Sequence, residues 1–170
     1  MKTIRIASVI DDSIVDGPGI RMTIFFQGCK HGCPGCFNKE TWDFKGGHDC
    51  DIEKIYNEAM KNPLLQGITL SGGDPIYQVE GALELVKLFK NTDLDIMCYT
   101  GFVYEELLEL EKTNPALKEF LDTIDYLVDG PFILEQKDIS LKFRGSKNQR
   151  VIDMKKTRKE GKVITTNFDY

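Results

Sequence analysis

The sequence predicts an α/β fold, an incomplete βα barrel that is open on one side. Short apolar runs alternate along the chain with segments of helical periodicity, and such alternation favours a parallel sheet with right-handed crossovers. The chain has 170 residues, whereas a closed eight-fold barrel needs roughly 250, which leaves room for about five βα units. An open partial barrel and a doubly wound sheet are the two architectures that fit.

Six segments are predicted to be strands. Residues 3–10 form an N-terminal strand or hairpin arm. The other five segments are short apolar runs, the form that a strand buried on both faces takes. They cover residues 22–26, 67–70, 94–99, 124–128 and 149–152.

Four helices are predicted between these strands from apolar residues that recur every three or four positions. The first follows Asp51, whose side chain is a suitable N-cap. Asn114 and Pro115 separate the last two, because proline cannot continue a helix. The four segments are 52–60, 79–89, 103–110 and 116–121.

Length and composition predict one domain that spans residues 1–170. Of these residues, 41% are hydrophobic and 29% are charged, which is ordinary for a globular protein. No stretch approaches the length of a transmembrane helix, and residues 1–5 lack the apolar core of a secretion signal. We therefore expect a cytoplasmic protein that does not interact with membranes.

The net charge of −5 is unevenly distributed. Residues 142–162 contain nine basic and two acidic residues, so the rest of the chain carries −12. A solvated surface is the interpretation we favour for this basic segment, and a docking surface for an acidic partner is the alternative. Only Phe143 interleaves the basic residues, which gives little support for direct nucleic-acid binding.

Three of the five cysteines, Cys29, Cys33 and Cys36, follow the spacing C-x3-C-x2-C. Their loop comes directly after the strand at 22–26, at the carboxyl end, where parallel α/β folds place their chemistry. Without a secretion signal, such a cluster indicates metal binding or catalysis more than disulfides. Cys50 and Cys98 receive no role, and Cys98 is expected to be a buried core thiol.

Soft thiolates select zinc or iron–sulfur clusters. Structural zinc needs four closed ligands, and His31, His48 or Cys50 could supply the fourth. An iron–sulfur cluster held by three cysteines leaves one iron for an external ligand, whereas ordinary ligation uses four. The spacing alone favours iron–sulfur over zinc without excluding zinc.

Further motifs follow predicted strands. S-G-G-D-P at 71–75 places two glycines, which let the backbone approach a ligand, beside Asp74, which can accept hydrogen bonds from an ammonium group. D-G-P-G-I-R at 16–21 has the composition of a turn. Segments 99–101, 129–132 and 144–150 also lie near strand ends, and each of these motifs can equally be a plain turn.

Together these motifs resemble the radical S-adenosylmethionine (SAM) superfamily. The superfamily often has an aromatic residue where Gly35 stands. The string C-P-G-C-F-N at 33–38, followed by Thr41 and Trp42, is instead similar to the activating proteins of anaerobic ribonucleotide reductase. The 71–75 motif resembles the superfamily's G-G-E, with Asp74 in place of glutamate. D-G-P-G-I-R and the 99–101, 129–132 and 144–150 segments resemble stretches of glycyl-radical activases, so the resemblance spans about residues 15–150.

The resemblance implies a partial barrel of the radical SAM type and a 4Fe–4S cluster held by Cys29, Cys33 and Cys36. It implies no catalytic side chain beyond the cluster and SAM, whose reductive cleavage would give a 5′-deoxyadenosyl radical. The residues it assigns to SAM are Gly35, Cys36, Phe37, Gly72, Gly73, Asp74 and Thr100.

The implied partners are the anaerobic ribonucleoside-triphosphate reductase, which would receive a glycyl radical, and a flavodoxin or ferredoxin-type electron donor. A wide opening in the barrel would admit a polypeptide loop. Two alternatives stay open. One is a radical SAM enzyme that acts on a small molecule, such as a deazapurine synthase, and the other is a zinc-binding interaction module.

Overall fold

A seven-stranded mixed sheet forms the centre of the protein. The computed structural model describes residues 2–33, 36, 39–138 and 140–166. The strands lie in the order β3-β1-β2-β4-β5-β6-β7. Their bounds are Thr3–Ser13 (β1), Arg21–Phe26 (β2), His48–Asp51 (β3), Gly67–Gly72 (β4), Asp95–Tyr99 (β5), Tyr126–Asp129 (β6) and Arg150–Asp153 (β7).

Four neighbouring strands, β2, β4, β5 and β6, run parallel, as strand–helix alternation predicts. The outer strands are antiparallel: β1 pairs with both β2 and β3, and β7 pairs with β6. The α/β class with a parallel sheet is thereby confirmed. Strand β7 arrives after a loop without a crossover helix, which is why it pairs antiparallel and does not add a fifth βα unit.

In the part of the chain that the structure describes, five α-helices accompany the sheet. They are Ile52–Met60 (α1), Val79–Leu88 (α2), Tyr104–Glu111 (α3), Pro115–Thr123 (α4) and Met154–Glu160 (α5). The first four match the predicted segments, and Asp51 caps α1 by accepting a hydrogen bond from the backbone N–H of Glu53 at 3.0 Å. Among the described residues, no helix combines the length and apolar character needed to cross a membrane.

The helices form one layer on one face of the sheet. Helix α1 packs on α2, α2 packs on α4, and α4 also contacts α3 and α5. Alternate strand residues such as Ile24, Leu70 and Leu127 are fully buried in the core beneath this layer. The opposite face of the sheet carries a separate, smaller apolar cluster around Met97, Val128 and Val151. The large core therefore lies between the sheet and the helical layer.

Two elements escaped the sequence prediction. Strand β3 contains only polar residues and Cys50, so no apolar alternation reveals it, and it lies at the sheet edge beside β1. Helix α5, with the sequence M-K-K-T-R-K-E, buries only Met154 and Thr157. Two buried positions are too few to give a helical apolar stripe.

Candidate functional site

A cavity of about 490 Å³ lies at the carboxyl ends of the four parallel strands. The loop after β2 contributes all three clustered cysteines to its wall. The loops after β4, β5 and β6 contribute Gly72 and Gly73, Thr100 and Gly101, and Gly130 and Phe132, respectively. The edge of the sheet therefore brings together the motifs that the sequence analysis selected.

The loop that carries Cys29, Cys33 and Cys36, called the cysteine loop below, is held at its start by backbone hydrogen bonds to the segment at 41–42. The N–H of Gly28 donates to the carbonyl of Thr41 at 2.6 Å, and that of Cys29 donates to the carbonyl of Trp42 at 3.1 Å. A Cβ on Gly28 would lie 2.5 Å from the ring of Phe44, so only glycine permits this approach. Further along, the N–H of Cys36 donates to the carbonyl of Cys33 at 3.1 Å, which joins the backbone of two of the cysteines directly.

The three clustered thiols line one cavity. Cys29, Cys33 and Cys36 are partly buried and are not joined in disulfides. Within the described part of the chain, no three His, Cys, Asp or Glu side chains are grouped closely enough to hold a single metal ion. A cluster with several irons needs its ligands spread around it, whereas tetrahedral zinc needs four ligands within about 2.3 Å of one centre. Three thiols on the wall of one cavity are a set of soft donors that an iron–sulfur cluster takes.

Burial raises the pKa of the Cys29 thiol to about 11, and it also raises the pKa of Cys33. The neighbouring thiols and Asp74 add negative charge that raises both values further. The thiols of Cys29 and Cys33 are therefore protonated at neutral pH in the metal-free protein. Thiolates here need a positive partner, and iron in a cluster supplies that charge.

The glycines of the S-G-G-D-P turn are required by the backbone of the cysteine loop. Gly72 has φ +98°, and a Cβ there would lie 2.3 Å from the backbone nitrogen of Phe26. A Cβ on Gly73 would lie 2.4 Å from the carbonyl oxygen of Gly28. The N–H of Asp74 donates to that same Gly28 carbonyl at 2.9 Å. The close approach that the two glycines permit is therefore made by the chain's own backbone.

The Asp74 side chain lies beneath the cavity and has no exposed surface. Its carboxylate accepts hydrogen bonds from the Thr100 hydroxyl at 2.9 and 3.0 Å, and from the backbone N–H groups of Gly101 at 2.9 Å and Ile76 at 3.0 Å. His31 Nε2 lies 2.6 Å from the same carboxylate. A direct contact from Asp74 to SAM stays a prediction, and it would require one of these donors to leave.

Thr100 joins the ends of two strands to this turn. Its N–H donates to the carbonyl of Val128 at 2.9 Å, and its hydroxyl donates to Asp74. It is also part of the cavity wall. Of the other residues predicted to contact SAM, Gly35 and Phe37 lie outside the described residues.

The segment at 144–150 folds over the segment at 129–132. The Asn148 amide donates to the carbonyl of Pro131 at 2.8 Å, and that of Gln149 donates to the carbonyl of Gly130 at 3.0 Å. Arg150 forms ion pairs with Asp129 at 2.5 Å and with Glu105 at 2.8 Å. Much of this segment thus holds the loop after β6 in place, while Arg144 and Gln149 also reach the cavity wall.

The D-G-P-G-I-R segment connects the cavity with the far end of the sheet. Asp16 lies on the cavity wall, and its carboxylate accepts hydrogen bonds from Ser13 at 2.5 Å and Thr23 at 3.1 Å. Arg21 is fully buried at the amino end of β2, where it donates to Asp95 at 2.5 Å and to Thr69 at 2.7 Å. The arginine is therefore a structural residue.

An aromatic wall of Phe44, Tyr77 and Phe102 backs the cysteine loop. Tyr77 lies 5.5 Å from each of the other two rings, and Lys30 lies within 6 Å of Phe44 and Tyr77. No role was predicted from the sequence for these three aromatic residues, and His31 was predicted only as a possible zinc ligand. The sequence signal that could have found them was position, since Tyr77 comes shortly after the S-G-G-D-P motif and Phe102 directly follows the segment at 99–101.

Comparison with known proteins gives consistent matches over most of the chain. A family described as "4Fe-4S single cluster domain" matches residues 15–152. Anaerobic ribonucleoside-triphosphate reductase-activating proteins are similar at 40% identity in Escherichia coli K12 and 42% in Haemophilus influenzae, covering 81% and 80% of this chain and 91% and 89% of those proteins. The activating protein of Enterobacteria phage T4 is 32% identical over 81% of this chain and 86% of its own length.

Among solved structures, a crystal structure of QueE from Escherichia coli aligns with a TM-score of 0.46 and 16% identity. The alignment covers 58% of this chain and 53% of that one.

Proposed function

Because the chain belongs to the family of anaerobic ribonucleoside-triphosphate reductase-activating proteins, we propose that it is a SAM-cleaving iron–sulfur enzyme that generates a glycyl radical on such a reductase. The observation that carries the proposal is the cavity itself. Three clustered thiols and the S-G-G-D-P turn meet there, at the carboxyl ends of parallel strands. The match to a 4Fe–4S cluster domain over residues 15–152 supports the same chemistry.

When bound, the cluster and SAM supply the radical chemistry: one-electron reduction of the sulfonium gives methionine and a 5′-deoxyadenosyl radical, which takes a hydrogen atom from a glycine of the reductase. The protein's own task is to bind, orient and shield these groups. No acidic or basic side chain is needed to move a proton in this scheme.

Cys29, Cys33 and Cys36 are proposed as the cluster ligands. Their thiols line one cavity. Burial raises the pKa of Cys29 and Cys33, which favours their binding to a positive centre over their release as free thiolates. We further propose that SAM is held beside them by Gly72, Gly73 and Thr100 on the cavity wall and by Gly35, Cys36 and Phe37 in the cysteine loop. Asp74 contributes to SAM binding from beneath the wall.

We also propose that the sheet forms an incomplete barrel with a side opening large enough for a polypeptide loop. The two sheet edges, β3 and β7, lie at opposite ends of the strand order. Ile10 and Val15 line the cavity, and Val15 and its neighbour Ile14 are each 72% exposed. An apolar rim at the cavity fits a protein substrate better than a small polar molecule.

Two partner assignments belong to this proposal. The basic segment at 142–162 is proposed as a docking surface for the reductase, supported by its local charge in an otherwise acidic chain. A flavodoxin or ferredoxin-type protein is proposed as the electron donor, on the family resemblance alone.

The deciding experiment is SAM cleavage by the anaerobically reconstituted protein with dithionite, with and without the reductase. We expect 5′-deoxyadenosine together with a glycyl-radical signal in the electron paramagnetic resonance (EPR) spectrum of the reductase, and we expect both to be lost in Cys33→Ala. A Cys98→Ala variant is the matched control, because Cys98 is buried in the core beneath the helices.

The alternatives predict different results. Cleavage of SAM without a radical on the reductase would favour a small-molecule substrate. Colourless protein with stoichiometric zinc and no SAM cleavage would favour the interaction module and would refute the proposed function.

A further inference from the structure

His31 connects the two halves of the site. It lies in the cysteine loop, two residues from each of Cys29 and Cys33, and its Nε2 is 2.6 Å from Asp74 Oδ2. Asp74 belongs to the turn after β4, 43 positions away in the sequence. A carboxylate can only accept, so the imidazole nitrogen donates this hydrogen bond.

The Asp74 carboxylate has no acceptor position left for a ligand. Oδ1 accepts from the N–H of Ile76 and the hydroxyl of Thr100, and Oδ2 accepts from the N–H of Gly101 and from His31. An ionised carboxylate offers about four lone-pair sites. The side chain is also fully buried. Among the described residues, His31 is the one side chain that joins the Asp74 carboxylate to the cysteine loop.

The imidazole is held in place by packing as well as by this hydrogen bond. Its ring lies edge-on to Phe102 with 4.8 Å between centroids, and 5.7 Å from Tyr77. A Cβ on Gly101 would lie 2.5 Å from the imidazole, so the glycine at the end of β5 leaves the space that the ring occupies. Only 16% of the His31 side chain is exposed.

From these contacts we propose that His31 is a positioning residue: it locks the cysteine loop to the S-G-G-D-P turn, and the Asp74 carboxylate is the buried anchor of that lock. This inference rests on the proposed function. The lock fixes the distance between the thiols that hold the cluster and the backbone that holds SAM. The contribution of Asp74 to SAM binding is then indirect, through His31.

The test compares His31→Leu, which removes the donor, with His31→Gln, whose amide nitrogen can still donate to Asp74. The chain has two histidines, and His48→Gln is the matched control because His48 is exposed on the edge strand β3. For each protein we would measure iron content, the EPR spectrum of the reduced cluster with and without SAM, and KM and kcat for SAM cleavage.

We expect His31→Leu still to bind a cluster. At a SAM concentration that saturates the wild type, SAM should no longer change the EPR spectrum of this variant. Its KM for SAM should rise at least about tenfold, because small misplacements at a reacting centre lower the rate up to about a hundredfold. His31→Gln should stay within about threefold of wild type, and His48→Gln should match it. Asp74→Asn should reproduce the His31→Leu spectrum, and the double variant should be no worse than the poorer single variant, because both changes break one lock.

A direct contact between Asp74 and the SAM amino group predicts another pattern. Asp74→Asn would raise KM while His31→Leu would leave both KM and the spectrum unchanged, and that result would overturn the lock. Failure of the wild type to bind iron or cleave SAM would instead refute the proposed function. The lock would then be tested in the metal-free protein through the urea midpoints of His31→Leu, Asp74→Asn and the double variant. Additive effects of the two changes would refute the lock, and non-additive effects would support it.

Discussion

At the scale of single residues, the site depends on glycines that no side chain can replace. Gly72 and Gly73 allow the turn after β4 to pass within hydrogen-bonding distance of the cysteine loop, as the Asp74–Gly28 bond of 2.9 Å shows. The sequence predicts that both are functional positions. It cannot show that the backbone they accommodate is the chain's own, because that contact joins segments more than 40 residues apart.

Gly73→Ala is expected to impair the site more than the fold. Its Cβ would lie 2.4 Å from the carbonyl oxygen of Gly28, so the cysteine loop or the turn must shift. We expect at least about a hundredfold loss of SAM cleavage, since misplacement by an ångström has that effect. The measurement is 5′-deoxyadenosine formation per iron bound. Gly161→Ala is a control for substitution at a distant glycine, and equal activity in Gly73→Ala and wild type would contradict the prediction.

Arg21 is expected to contribute to stability and not to catalysis. Its guanidinium is fully buried and is paired with Asp95 at 2.5 Å. Removing one partner of a buried pair typically costs about 3–5 kcal/mol, because the other charge is left without compensation. Arg21→Met should therefore lower the free energy of unfolding by about that amount in urea denaturation.

The control for Arg21→Met is Lys118→Met, which breaks an exposed i,i+4 pair with Asp122 and should leave the free energy of unfolding nearly unchanged. If Arg21→Met instead kept its stability and lost SAM cleavage, Arg21 would have a functional role.

At the scale of elements, the parallel strands and four of the helices follow from the sequence because each carries an apolar pattern of the right period. Strand β3 and helix α5 do not, because tertiary contacts stabilise them more than their own patterns do. Helix α5, for example, is held to the rest of the protein by Lys155, paired with Asp125 at 2.9 Å, and by a hydrogen bond from Arg158 to the carbonyl of Leu121.

These contacts refine the test of the docking proposal for the basic segment. Reversing Lys155 or Arg158 would disturb α5 itself, whereas Lys156 and Lys159 are exposed on the same helix. Lys156→Glu with Lys159→Glu should weaken binding to the reductase at least about tenfold at low salt and less at high salt, as electrostatic association requires.

Binding by calorimetry at two ionic strengths would measure this effect. Lys54→Glu with Lys90→Glu, which changes two exposed lysines elsewhere by the same charge, is the control. Equal loss of affinity in both double variants would indicate an effect of net charge alone and would contradict docking through α5.

At the scale of the whole molecule, the site and the core are on different parts of the sheet. The main core packs between the strands and the helical layer, around residues such as Leu85, Phe120 and Ile152. The cysteines lie in a loop at the strand ends. The sequence predicts this division, because parallel α/β folds place chemistry at the carboxyl edge. It cannot predict how far the sheet curves or which strands form its edges, since both depend on the antiparallel strands β1, β3 and β7.

The metal-free protein is expected to stay folded. Zinc fingers unfold without metal because their core is too small, whereas this chain buries its main core beneath five helices. Removing iron with a chelator should leave the far-UV circular dichroism spectrum nearly unchanged and the urea midpoint within about 0.5 M, given an m-value of about 1–3 kcal/mol/M. Loss of the cooperative transition on chelation would show that the metal is structural.

One backbone hydrogen bond limits how the site can be changed by evolution or by design. It joins the N–H of Asp74 to the carbonyl of Gly28, with two glycines packed around it. The cysteine loop and the S-G-G-D-P turn share one backbone contact, so neither can lengthen, shorten or be grafted without the other. A chimera that takes both segments from a related activating protein should accept them together, while an exchange of one segment alone should fail. The two stretches are separate in the gene, but we expect them to be exchangeable between related proteins only as a pair.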